Sequence, residues 1–240
     1  MSGKWTVQKS DGFENTVFIL AFLLEEFSRI FGNDIMAIED CIIFNDPHSE
    51  CPMLITNLSP IHIRLSQECL TAISQTIYQL SHEMCHYAIR QRKTNKDFTL
   101  SWFEEIVCEA VSLYALKYSS EQWEKCLLSQ TQPYWAQAHK TYLENQLNRE
   151  STNEFQECDT VEKLMVYEKQ ELPESKRETH RAERNAIYRA ISSNPMELKC
   201  VLNYSKYVEN NGVTIDFDEW IKEDSSNLLQ ELKKIQPVKL

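Results

Sequence analysis

The apolar positions change their period along the chain. Between Asn15 and Phe31 they fall at Val17, Phe18, Leu20, Ala21, Leu24 and Phe27, a spacing that predicts an amphipathic helix. From Ile38 to Leu65 the pattern shortens. Cys41-Ile42-Ile43-Phe44, Met53-Leu54-Ile55 and Ile61-His62-Ile63-Arg64-Leu65 are rich in β-formers and separated by Asn-Asp-Pro, Cys-Pro and Ser-Pro. Two or three strands of a small sheet are expected. Ile61 to Leu65 alternates as an edge or half-buried strand should. A long helix then runs from about Gln67 to Lys93, capped by Ser66, with Leu70, Ile73, Ile77, Leu80, Met84 and Tyr87 on one side. After a polar loop over 94–99, a second helix runs from Trp102 to about Tyr118. Its start, Ser101-Trp102-Phe103-Glu104, fits a capping box. Further helices are expected near Glu121 to Ser129, Tyr134 to Asn148, Thr160 to Glu171, Ser175 to Ser192 and Asp218 to Lys234, with Met196 to Val208 ambiguous. The reading is an α+β fold. Residues 1–118 hold the small sheet and two prominent helices, and residues 119–240 form a mainly helical lobe. No linker marks the boundary.

Composition narrows the function. With four glycines, no glycine-rich phosphate loop can be written. A net charge of −11 argues against nucleic acid as a partner. The basic stretch Arg90 to Lys96 follows a helix, where cations complement its negative end. The apolar run Val17 to Leu24 is too short to span a bilayer and lacks a signal-peptide cleavage site. A soluble, cytoplasmic protein without a membrane partner is expected. The eight cysteines contain no C-x-x-C pair, so most should be small buried thiols.

One constellation carries chemistry. His82-Glu83-Met84-Cys85-His86 is an H-E-x-x-H sequence inside the long helix. Residues four apart share a helical face, so two imidazoles can grip one metal ion. Glu83, one step round, can reach a metal-bound water without ligating the ion. A hydrolytic zinc needs a third protein ligand and an open position. The next helix offers Glu104, Glu105 and Glu109. The capping box commits Glu104 to the Ser101 amide, which leaves Glu105 to face the first helix. Glu109 lies on the same face as Glu105 and is the candidate to orient His82 or His86. Eighteen residues separate His86 from Glu105, enough for a reversal and an antiparallel first turn.

This arrangement resembles the gluzincin metallopeptidases, in which H-E-x-x-H is followed by a glutamate ligand on a second helix. The gap and Trp102-Phe103-Glu104-Glu105 are similar to the M1 aminopeptidases, and the Glu105/Glu109 pair resembles thermolysin-like enzymes. The likeness covers about 50 residues, from Ile61 to Ala110. It departs from the M1 pattern in lacking G-x-M-E-N. It implies a zincin-like fold with zinc on His82, His86 and Glu105, Glu83 as general base, and Glu109 behind the ligands. A peptide or protein would be the substrate, with the strand at Ile61 to Leu65 lining the cleft. Such an enzyme needs a further donor for the oxyanion. Candidates are Tyr114, Tyr118, His139, Tyr142, His180 and Tyr188, with Tyr114, Tyr118 and His180 preferred. His180 also reads as a surface histidine on a charged helix, and His139 as a ring packed beside Tyr134 and Trp135. His48 and His62 read as ordinary loop or strand residues, and Cys85 and Cys108 as small hydrophobes between helices. Two other readings are carried. One is a zincin-like module dedicated to a single partner, such as a regulator-cleaving protease. The other is a metal-free helical interaction protein.

Overall fold

A computed structural model describes residues 3–8, 14–68, 72–169 and 174–239. It is an α+β chain with one four-stranded sheet and many helices. Packing divides it into two compact units, Met1–Ala88 with Val111–Leu147, and Ile89–Ala110 with Asn148–Leu240.

In the first unit, β1 (Trp5–Val7), β2 (Cys41–Asn45), β3 (Met53–Ile55) and β4 (Ile61–Leu65) form a sheet in the order β1-β2-β4-β3. β1 pairs with β2 and β2 with β4 in parallel, while β3 returns antiparallel to β4, Leu54 opposite Ile63. Cys41, Ile43, Ile61, Ile63 and Leu65 are buried and the residues between them half-buried, the period of two that one covered face requires. β4 is therefore half-buried but interior rather than at an edge. Its backbone is paired on both flanks, so it has no free edge to offer a cleft. β1 escaped notice because three residues are too few to alternate.

Against the sheet elements are α1 (Glu14–Phe31) and the single turn α2 (Asn33–Met36), whose Ile19, Leu23, Phe27, Phe31, Ile35 and Met36 are buried. α3 (Ile73–Arg92) buries Ile77, Leu80, Met84 and Tyr87. The expected first turn of that helix falls partly on residues 69–71, outside the described ones. Ser66 does not cap it. Its amide donates to Gln79 Oε1 at 3.0 Å and its carbonyl accepts from Gln79 Nε2 at 2.9 Å. α4 (Ser101–Gln122) runs on past Tyr118, and two 3-10 turns, Trp123–Lys125 and Leu127–Gln130, replace the helix expected there. α5 (Trp135–Leu147) completes this unit, while α3 from Ile89 on and α4 as far as Ala110 belong to the second.

The second unit contains α6 (Val161–Lys169), a 3-10 segment Glu174–His180, α7 (Arg181–Ser193), a second 3-10 segment Pro195–Lys206, α8 (Phe217–Glu223) and α9 (Asn227–Ile235). Its core is aromatic. Trp102 lies 5.5 Å from Phe155, and Phe103 lies 4.9 Å from Tyr204, separations typical of favourable ring pairs. The single helix expected over Asp218 to Lys234 is two. Asp216 accepts from the Glu219 amide and Ser226 from the Leu229 amide, so a polar cap starts each of the two helices. Cys41, Cys85, Cys108, Cys126, Cys158 and Cys200 are buried thiols and Cys51 is half-buried; Cys69 lies outside the described residues. Among the described residues no helix is long and apolar enough to cross a membrane.

Candidate metal centre

Two side-chain clamps hold α3 on either side of the H-E-x-x-H turn. Gln79 grips the Ser66 backbone as above. Tyr87 Oη donates to the Glu39 carbonyl at 2.8 Å and accepts from the Glu39 amide at 2.9 Å. Burial pushes this phenol up to about 12, so it stays a donor at neutral pH. Between the clamps, His82 and His86 bring their Nε2 atoms to 3.2 Å, with ring centroids 4.8 Å apart.

Among the described residues, His82, His86 and Glu105 each offer one ligand atom, and these atoms lie within 4.8 Å of one another. A tetrahedral zinc with nitrogen ligands at about 2.0–2.1 Å sets its ligand atoms roughly 3.4 Å apart. The imidazole pair already has about that separation. The donor set of two imidazoles and one carboxylate fits zinc chemistry. His82 is buried, whereas His86 and Glu105 are partly exposed, as suits a site that must keep one position open. Glu83 is also buried and is not part of the ligand group.

The turn that presents Glu105 is built differently from the expected capping box. The first helical bond of α4 runs from the Glu104 amide to the Leu100 carbonyl, so Leu100, which has no side-chain acceptor, stands at the cap. The exposed amides are taken by Glu168 of α6. Its carboxylate accepts from the Ser101 amide and, at 3.1 Å, from the Trp102 amide. Glu104 turns away instead. It forms a buried ion pair with Lys93 and accepts from the Tyr204 hydroxyl. Lys93 Nζ also donates to the Phe98 carbonyl at 2.9 Å. Lys93 thus ties the end of α3 to the start of α4 through the connecting loop.

Glu109 is fully buried one turn beyond Glu105. It gathers Arg177 Nε at 3.3 Å, Arg184 Nη1 at 3.5 Å and His180 Nε2 at 3.9 Å. It therefore pairs with the two arginines, with the His180 ring beside them. His180 is not a surface residue; it is 1% exposed. Its Nδ1 lies 3.2 Å from the Tyr167 hydroxyl, which also meets Thr179 Oγ1 at 2.7 Å. Burial lowers the His180 pKa against the opposing pull of Glu109 and Glu105, so the ring is neutral at pH 7. A proton given by Tyr167 to Nδ1 leaves the imidazole proton on Nε2, facing the Glu109 carboxylate.

The other expected donors have different duties. The Tyr114 hydroxyl donates to buried Glu26, which also holds Arg29. Tyr118 stacks on Phe22 with centroids 5.1 Å apart. His139 is packed beside Trp135 as expected, at 5.9 Å, and beside Trp123 rather than Tyr134, at 4.7 Å. His62 Nδ1 meets the Pro60 carbonyl at 2.9 Å. The sequence reading missed Arg177, Arg184, Tyr167 and Glu168. The spacing of Arg177, His180 and Arg184, three and four apart, was the available signal. Nothing in the local sequence of Glu168 announces a cap for a distant helix. No protein-family model, curated protein or solved structure matches this chain.

Proposed function

We propose that this chain is a zinc-dependent metallopeptidase with a zincin-like catalytic region. The observation that carries the reading is the convergence of His82, His86 and Glu105 within 4.8 Å, on an H-E-x-x-H helix and its successor. Zinc bound there would polarise the substrate carbonyl and bring the pKa of a water from about 15.7 towards about 7. The remaining chemistry belongs to the chain. Glu83, next to His82 and buried in α3, takes the proton of the attacking water and returns it to the leaving amine. Of the three preferred oxyanion donors, His180 is the one whose ring feels the Glu105 charge. Its Nδ1 faces Tyr167 and its Nε2 faces Glu109, so an oxyanion would compete with Glu109 for the Nε2 proton. Glu109, with Arg177 and Arg184, holds that ring. The substrate is a peptide or protein, and the cytoplasm is the compartment that fits the reduced thiols.

The test is metal content followed by hydrolysis. Purified protein should carry one zinc per chain, lost in His86→Ala. Glu83→Gln should retain the metal and lose peptide hydrolysis by about 100- to 10,000-fold. Wild-type protein without bound zinc at neutral pH, or Glu83→Gln with wild-type turnover, sinks the proposal.

A further inference from the structure

Glu168 caps the helix that presents Glu105. It lies near the end of α6, 67 positions after Ser101. Its two oxygens answer the amides of Ser101 and Trp102, the first two residues of α4. These amides are among the four at a helix start that have no partner within the helix. A carboxylate there is also favoured by the helix dipole. Leu100 at the cap supplies no acceptor of its own, so this turn depends on Glu168 for its closure. Glu105 is the fifth residue of α4, one turn from the amides Glu168 holds. The neighbouring residue, Tyr167, contacts Thr179 and His180. Two consecutive side chains of α6 thus reach the helix carrying the third ligand and the imidazole assigned to the oxyanion.

We propose that Glu168 is a positioning residue for the metal centre, fixing the first turn of α4 so that Glu105 meets the two histidines. This rests on the metallopeptidase reading. Without the cap the first turn frays, and Glu105 must be ordered when the ion binds. Residues standing behind metal ligands typically change metal affinity by about 10- to 100-fold.

The experiment measures the zinc dissociation constant of the full chain by competition with a chromophoric chelator, with apo melting temperatures recorded alongside. Glu168→Gln and Glu168→Ala should weaken zinc about tenfold or more. Asp216→Ala is the control. It removes the cap of α8, in the same unit, and should lower the apo melting temperature while leaving zinc affinity within twofold. Zinc affinity unchanged in both Glu168 variants overturns the inference alone. So does an equal loss of affinity in Asp216→Ala, because the effect would then be general destabilisation. A wild-type chain that binds no zinc overturns this inference together with the reading it rests on.

Discussion

The imidazole of His139 is fully buried, with Ser74 Oγ 2.8 Å from Nδ1. Burial holds its pKa at about 4, below the ordinary value of 6.5. The folded state thus favours the neutral ring, and the unfolded chain binds more protons between those two values. This contribution to stability is present above pH 6.5 and is lost as the pH falls towards 4. Between pH 7 and pH 5 it should cost about 2 kcal/mol, and His139→Gln should flatten that part of a denaturant-measured stability profile. A slope unchanged by the substitution would contradict the assignment. His139 was legible in part, because Trp135, four residues before it, packs on its ring, whereas Trp123 and Ser74 are distant in sequence. His180 was not, because Glu178, Arg181, Glu183 and Arg184 suggest a solvated face. Arg184 turns inward to Glu109, and a charge whose partner lies far along the chain looks the same as an exposed one.

At the scale of elements, the buried pair of Lys93 and Glu104 closes the loop between α3 and α4. Each side chain is 3% exposed, so removing one charge strands the other. Glu104→Gln should destabilise the chain by about 3–5 kcal/mol, read as a shift in denaturant midpoint. Lys93→Met with Glu104→Leu should recover much of that loss, since a matched apolar pair leaves no buried charge. A single variant within 1 kcal/mol of wild type would deny the pair its role. The capping pattern Ser101 to Glu104 misled because the helix begins one residue earlier than the pattern assumes. That shift moves Glu104 off the amide and onto Lys93 and Tyr204. The strands were easier. β3 and β4 begin and end where runs of β-formers and proline punctuation put them, since both signals are local.

For the molecule as a whole, a bound ion should be felt as stability. Zinc at one hundred times its dissociation constant should add about 2.7 kcal/mol. That corresponds to roughly 5–10 °C in melting temperature for a chain of this size. Chelation should reverse the rise, and His86→Ala should show none. An identical melting temperature with and without zinc would mean that the folded chain binds the ion no better than the unfolded one. Helix, sheet and the ligand triplet could be anticipated because each repeats or recurs within a few turns of chain. The division into units and the braces on α4 could not, because they join residues far apart in sequence.

That separation has a temporal side. A ribosome releasing the chain from its amino end delivers both histidines and Glu105 together. Glu168 follows the start of α4 by 67 residues and Tyr204 follows Glu104 by 100. If the braces set the grip on an ion at the proposed site, a nascent segment that stops short of Glu168 would own His82, His86 and Glu105 yet hold metal loosely.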